Sequence, residues 1–407
     1  GSRFILAWSM LFCEDQGLLA DAMTKEIVIV GGGISGLMTG KLLVGKGHNV
    51  TILADVPYFE WPLAGSYSLA HPEQFNKAVS ATEQHHVMGA KTVIGIAAGL
   101  EGNSLKLQDG TSLPFDALVA ATGYRAGPVR PSLGQSLEDR RAEVLAIGGG
   151  IKTAKTVIIG GGGPIGVELA GDIREANKDA RIIIVVRGER ALSYLNSKYT
   201  AKLMKQMSAM NIEIIANDTV DEKTWYAGEA RDFKLTSGQT IRAEVYIPAF
   251  TSGFDGGFTG LANERGLIPV NEFLQSTGNE KVFAVGCSDQ EFAAVMKIEG
   301  QAKTVSKNVL ALLSNKALAA HKDAFAEMTH PLTQKIGQHS YTWIEYEMMP
   351  PGPLMKCCGF PFCCTCCWPL ALCGVGLCHP CAFGFCCGDP EGQGTAALGR
   401  MLLHGTG

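Results

Sequence analysis

The sequence predicts an α/β protein with two parallel-sheet units, each opened by a strand, a glycine loop and a helix. Three observations predict it. The stretch "KEIVIVGGGISGLMTGKLL", Lys25 to Leu43, places G-x-G-x-x-G between an apolar strand and a helix. The stretch "KTVIIGGGGPIGVELAGDI", Lys155 to Ile173, repeats the device. Each copy is answered by a second apolar strand, "NVTILAD" closing on Asp55 and "ARIIIVV" closing on Arg187.

The elements follow in order. The first unit reads as a strand at Glu26–Val30, a loop, a helix over Gly36–Gly45 and the strand ending at Asp55. After "HPEQF" comes a β-rich piece, "KTVIGIAAGLEGNSLKLQDGTSLPFDALVAATGY", with turn signals at Gly102-Asn103 and Asp109-Gly110. It reads as a β-meander that ends in a buried strand, Ala117–Ala121. The second unit reads as a strand at Thr156–Ile159, a loop, a helix over Gly166–Ala176 and the strand to Arg187. Then come "NIEIIAND", "FKLTSGQTIRAEVYIPAF", a return segment "VFAVGCSD" and an amphipathic helix from about Ala293 to Leu313. The tail from about Ala320 differs in kind, since between Glu347 and Asp389 its one formal charge is Lys356.

Composition narrows the classes. A chain of 407 residues divides more comfortably between two domains than it packs as one. An apolar fraction of 46%, a charged fraction of 18% and a formal charge of -4 are values of a folded soluble protein, with no basic excess pointing to nucleic acid. Its 50 glycines cluster at strand-to-helix turns and follow neither a collagen nor a linker period. Of 13 cysteines, Cys13 and Cys287 stand alone and the others crowd between Cys357 and Cys387. A nearly thiol-free body argues for a reducing compartment and against a disulfide-stapled secreted fold. Residues 1–22 read as an extension before Met23; its apolar run "RFILAWSMLF" is consistent with the remnant of a targeting segment and too short to span a bilayer.

In the first loop Gly31, Gly33 and Gly36 fill the motif around Ser35, and Asp55 lies 24 residues after Gly31. In the second, Gly161, Gly163 and Gly166 hold the same frame around Pro164 and Ile165. The chemistry needs a tight turn, backbone close enough to touch a pyrophosphate, and helix amides facing the negative charge. A ligand-free glycine turn is the plain alternative, but it requires no strand before, helix after and strand beyond. Asp55 suits a ribose hydroxyl, against the reading of a solvated turn aspartate. The equivalent place after the second loop is Arg187, with Arg190 three residues on. Arginine there receives a 2′-phosphate, which makes NADPH at least as good a candidate as NADH; a plain surface arginine is the alternative. The units are thus two Rossmann-like dinucleotide-binding domains of three layers. One would hold FAD as a fixed group, and the other would take a nicotinamide dinucleotide that arrives, gives a hydride and leaves.

On the segments "IVIVGGGISGL", "LVAATGY", "VIIGGGGPIGVELAGDI" and "VFAVG", spanning about Lys25 to Leu313, the chain resembles the two-dinucleotide-binding-domain flavoproteins of the pyridine nucleotide oxidoreductase family. "GGGPIGVELAGDI" is most similar to the apoptosis-inducing-factor-like branch that includes ferroptosis suppressor protein, an NAD(P)H:quinone oxidoreductase using FAD. Type II NADH dehydrogenases are the next match. The resemblance implies an NAD(P) domain, 128–252, inserted in an FAD domain made of 23–127 and 253–320, with a C-terminal domain over 321–407 that holds the cysteine-rich segment. It implies that the first loop and Asp55 hold the ADP half of FAD and that the Val93 backbone meets the adenine. Thr122, Gly123 and Tyr124 would lie near the flavin. Glu168 would be the catalytic carboxylate beside the nicotinamide, or else a helix-packing residue. Two departures stand out. Where the family writes Gly-Asp to hold the FAD ribityl chain, this chain has Gly286-Cys287-Ser288-Asp289. Either Asp289 substitutes from two residues along, or Cys287 leaves that contact to backbone amides. Cys287 itself reads as a packed small residue, not a reactive thiol. "IPAFTSGF" stands where relatives write a second "TG".

Disulfide reductases of this fold pass electrons through a cysteine pair beside the flavin, and no cysteine occurs between Cys13 and Cys287. Electrons would pass directly to an acceptor, and the resemblance implies a quinone. No metal is required; catalysis would be positioning and water exclusion. His85 and His86 read as solvated or capping residues. The tail has three readings. Cys363-x-x-Cys366 with Cys378-x-x-Cys381 would make a zinc site of short spacing. Paired cysteines among Phe360, Phe362, Trp368, Leu370, Phe383 and Phe385 would make a membrane-facing patch open to S-acylation, the favoured reading. A thiol relay from the flavin is the third. Prolines and glycines argue against a spanning helix. The expected location is cytoplasmic or membrane-associated, on the cytosolic face of an organelle, with a mitochondrial site also open. The rival functions are an apoptosis-inducing-factor-like signalling flavoprotein and a thiol- or metal-linked reductase.

Overall fold

The computed structural model describes residues 24–81, 87–195, 197–289, 295–323, 333–336 and 339–342. The expected extension over residues 1–22, the pair His85 and His86, and the whole cysteine-rich segment lie outside the described residues.

The chain runs β1 (Glu26–Val30), α1 (Ile34–Leu43), β2 (Asn49–Ala54), β3 (Lys91–Ile94) and β4 (Ala117–Ala120). After α2 (Leu137–Thr153) come β5 (Thr156–Gly160), α3 (Pro164–Ala176), β6 (Arg181–Val185), α4 (Ser197–Ala209) and β7 (Ile212–Ile215). The last elements used below are β8 (Tyr226–Lys234), β9 (Thr240–Pro248), β10 (Val282–Ala284) and α5 (Val295–Leu313).

These strands make two five-stranded sheets, ordered β10-β4-β1-β2-β3 and β7-β6-β5-β9-β8. The first is parallel throughout. The second is parallel except where β8 runs antiparallel to β9. Because β10 returns to complete the sheet that β1 began, the second sheet is inserted in the first unit. The central strands are unbroken apolar runs because both faces are covered, one by helices and the other by antiparallel strands such as the meander that carries Leu105 and Leu107; Ile27, Ile29, Val157, Ile158 and Ile159 are all fully buried. Between β3 and β4 the expected meander is present as antiparallel strands Ala97–Glu101, Ser104–Leu107 and Ser112–Pro114. Its turns use Gly102 at φ 58° and Gly110 at φ 87°.

Both glycine-loop helices begin two residues earlier than the motif spacing predicts, at Ile34 and Pro164. Proline at the first helical position loses no hydrogen bond there, and its φ is already helical. The 17-residue helix α2, which contains Gly148–Gly150, is not among the elements read from the sequence. It forms nonetheless. Ser136 caps it, its Oγ accepting from the Asp139 N–H at 3.0 Å. The glycines serve packing: a Cβ on Gly148 would stand 2.6 Å from Pro72 Cδ, and one on Gly150 would stand 2.8 Å from Ala227 Cβ.

The segment after β2 also carries elements that were not read from the sequence. Tyr58–Glu60 pairs with Val79–Ala81, and the short helix Gly65–Ala70 between them packs on both α2 and α3. Leu69 and Ala70 of that helix, with Phe75 beyond it, join Val144, Ile159, Val167 and Ile173 in one apolar cluster, so both units share a core. An ion network crosses the same junction. The fully buried Arg140 donates from Nε and Nη2 to the Glu60 carboxylate at 2.9 and 2.8 Å, and from Nη1 to Glu143 Oε2 and the Pro128 carbonyl at 2.8 Å each. Trp225 Nε1 donates to the other Glu143 oxygen at 2.8 Å. Arg140→Ala strands two carboxylates in a dry interface, and should cost about 3–5 kcal/mol in urea unfolding.

Candidate functional site

The two glycine loops have one geometry. Gly31 takes φ 127° and donates its N–H to the Leu53 carbonyl at 2.8 Å; a side chain there would strike the Ala121 carbonyl. Gly161 takes φ 117° and donates to the Val185 carbonyl at 2.9 Å. The third glycine of each loop, Gly36 or Gly166, rests on the carbonyl of the first, leaving no room for a Cβ. The middle glycines differ from these. Gly33 and Gly163 are the N-caps of α1 and α3, neither helix has a side-chain cap, and a Cβ at either glycine would meet nothing within 4 Å. Among the described residues each loop therefore turns helix amides without a side-chain cap toward open space, the electrostatic and steric requirement for a pyrophosphate.

Around the first loop the structure gathers four segments. Asp55 follows β2, half-buried; burial raises its carboxyl above the ordinary value, and its backbone hydrogen bonds and Arg125 only partly offset this. Arg125 is itself paired with Asp255 at 2.7 Å. Val93 lies beside Leu53 on the edge strand β3. Thr122, Gly123 (φ 75°) and Tyr124 leave the end of β4; the Tyr124 hydroxyl accepts from Arg130 Nη2 at 2.8 Å. The Thr122 N–H donates to Ser288 Oγ at 2.9 Å. Gly286, at φ 73°, sits against Ser35 Oγ of the loop and donates its N–H to Gln301 Oε1 at 2.8 Å.

Asp289 lies beside that turn. Its Oδ2 accepts from Gln301 Nε2 at 3.2 Å, while its Oδ1 is shielded from water and has no hydrogen-bond partner among the described residues. Burial pushes its carboxyl up to about 7, against its own backbone hydrogen bond and nearby Lys297. Lys297 is paired with Asp323 at 3.3 Å. A buried carboxylate oxygen with no donor among the described residues is one that a ligand hydroxyl fits. Cys287 is half-buried in the Gly286–Ser288 turn. Ser288 and Gln301 were not singled out from sequence. Neither belongs to a motif, and a serine inside an otherwise apolar return segment was the signal available.

At the second loop, Ile165 packs on the shared core and Glu168 lies half-buried on α3. The Glu168 charge reaches Tyr194, whose hydroxyl is raised above its ordinary value mainly by burial and further by that carboxylate. Arg187 stands exposed just past β6. Arg190 instead donates from Nη2 to the Leu195 carbonyl at 3.0 Å and braces its own loop.

Residues 25–302 match the family model of pyridine nucleotide-disulphide oxidoreductases. The chain belongs to that family. FAD and NAD(P)H are the cofactors membership brings, and both cradles and the orphaned Asp289 oxygen fit them. Curated relatives agree with the branch the sequence resembles. The chain is 27% identical over 361 residues to oxidoreductase ptaL of Pestalotiopsis fici, covering 82% of this chain and 94% of the relative. It is 28% identical over 331 residues to apoptosis-inducing factor homolog B of Dictyostelium discoideum, covering 73% and 84%. Human ferroptosis suppressor protein 1 is 23% identical over 328 residues, covering 73% and 83%. Among the described residues no helix is long and apolar enough to cross a membrane.

Two outcomes follow from this geometry. Gly33→Glu puts a carboxylate where the pyrophosphate charge belongs, and should give a folded but colourless protein, checked by the visible spectrum and far-ultraviolet circular dichroism. Folded Asp289 keeps its proton up to about pH 7 while an unfolded aspartate has already lost it, so the fold binds more protons across that window. The stability of the neutral form is complete in acid and is lost as pH rises through about 7. Urea unfolding of flavin-stripped protein should show the wild type losing stability relative to Asp289→Asn between about pH 5 and about pH 8.

Proposed function

We propose that this FAD-dependent oxidoreductase takes a hydride from NAD(P)H at the second loop and delivers electrons from the flavin to a quinone. One observation carries the reading: two uncapped glycine cradles lie in a chain with no cysteine between Cys13 and Cys287 to lead electrons into a disulfide. Bound FAD supplies the redox chemistry, accepting a hydride and releasing electrons to an acceptor. The chain supplies binding and aim.

In this reading residues 23–127 and 253–320 hold FAD, 128–252 hold the nicotinamide dinucleotide, and 321–407 form a C-terminal domain. The amides at Gly33 and Ser35, with Gly31 and Gly36 shaping the turn, receive the FAD pyrophosphate. Asp55 takes a ribose hydroxyl and the Val93 backbone meets the adenine. Thr122, Gly123 and Tyr124 lie along the flavin; Gly286 and Asp289 serve the ribityl chain. Gly161, Gly163, Pro164, Ile165 and Gly166 receive the second dinucleotide. Glu168 orients the nicotinamide as the catalytic carboxylate, and Arg187 receives a 2′-phosphate. The cysteine-rich segment makes peripheral contact with a membrane in which the quinone is dissolved, on a cytosolic or mitochondrial face.

A second reading, a signalling flavoprotein with slow turnover, is favoured by the likeness to a relative named apoptosis-inducing factor homolog B. Anaerobic stopped-flow separates the two. Fast flavin reduction by NADPH or NADH with fast reoxidation by ubiquinone supports the quinone reductase; sluggish reduction supports signalling. Arg187→Glu should weaken NADPH by about tenfold and leave NADH nearly unchanged, because it removes a charge-assisted contact that only the 2′-phosphate makes. An equal loss for both nucleotides rejects the assignment. Flotation with liposomes, before and after hydroxylamine, checks acylated membrane contact.

A further inference from the structure

Two aromatic side chains stand half-exposed on either side of the second glycine loop, and neither belongs to a motif. Phe250 and Tyr194 each keep 37% of their surface. Phe250 comes from the end of β9. The Ala249 N–H before it donates to the Gly160 carbonyl at 2.7 Å, and a Cβ on Gly161 would lie 3.4 Å from Phe250 Cβ. It stands in "IPAFTSGF", where the resemblance to the family breaks down. Tyr194 comes from the loop after β6, the strand on the other side of β5 from β9, in a turn closed by the Leu195 N–H donating to the Leu192 carbonyl at 3.0 Å. That turn hangs on the glycine loop through the Leu192 N–H, which donates to the Gly162 carbonyl at 2.7 Å.

The loop after β6 is held firmly for an exposed one. Leu192 takes φ 51°, which costs a branched residue energy, and Arg190 braces the turn from the other side. Gly162 permits the approach, since a Cβ there would lie 3.1 Å from Ala191 Cα. Both aromatics thus sit beyond the carboxyl ends of β5, β6 and β9, the place where open α/β sheets bind their ligands. Glu168 lies within electrostatic reach of the Tyr194 hydroxyl. A rigid turn that holds a large ring half in water, beside an uncapped helix, is poised to gain from a ligand that covers it.

We propose that Tyr194 and Phe250 are binding residues of the second pocket, gripping the nicotinamide dinucleotide from opposite sides of Gly161–Gly163. The glycine loop offers amides and charge but no side-chain surface, and the two rings supply that surface. The proposal rests on the reading of this loop as the nicotinamide site.

The test is calorimetric titration of FAD-loaded protein with NADP+ and with NAD+. Tyr194→Ala and Phe250→Ala should each raise Kd roughly threefold to tenfold, while Tyr194→Phe keeps most of the wild-type affinity. Flavin absorbance and melting temperature should stay at wild-type values. In the wild type, NADP+ should slow nitration of Tyr194 by tetranitromethane. Wild-type affinity in both alanine variants, or nitration that the nucleotide does not slow, overturns the proposal while leaving the site assignment standing. A wild type that binds neither nucleotide overturns the assignment and the proposal together.

Discussion

The contact on which both sites depend is between the first and third glycines of each loop. Gly36 rests on the Gly31 carbonyl and Gly166 on that of Gly161, with no room for a methyl group. That contact fixes how closely the helix start approaches the strand end. It therefore decides where the free amides of α1 and α3 point. A looser approach would move the positive end of each helix off the crevice, and a dinucleotide would lose several hydrogen bonds at once.

Two such pockets are useful to an oxidoreductase only if they are held at a constant separation. The shared apolar core of Leu69, Phe75, Ile159 and Val167 and the network around Arg140 supply that constancy at the junction. The two do different work. Apolar burial gives cohesion without direction, whereas the bidentate Glu60 pair and the Trp225–Glu143 hydrogen bond admit one arrangement. Burial alone disfavours the Arg140 charge; Glu60 and Glu143 outweigh it and keep the guanidinium ionised. Buried ion pairs are a weak source of net stability, so the value of this one lies in geometry.

Much of the fold was legible in the sequence, and the reasons differ by element. Strands β1, β2, β5 and β6 were readable because a strand covered on both faces must be a continuous apolar run. Helix α2 was not, since Gly148–Gly150 look like a break when the neighbours that need their missing side chains, Pro72 and Ala227, are far away in sequence. Ser288 was overlooked for a similar reason: its partner Thr122 lies 166 residues earlier. Tyr194 and Phe250 carry no signal at all in one dimension, because an exposed aromatic acquires meaning only from the loop it stands beside.

The sequence by itself determined the two glycine cradles, their strands and helices, and the lack of any cysteine between Cys13 and Cys287 for thiol-based electron transfer. Those features are local: φ above zero, a missing Cβ and a helix start are settled within about a dozen residues. Only the tertiary structure decided that Asp289 buries a carboxylate oxygen with no partner among the described residues, or that Phe250 lies against Gly161. Burial, desolvation and the meeting of remote backbones are properties of the packed chain.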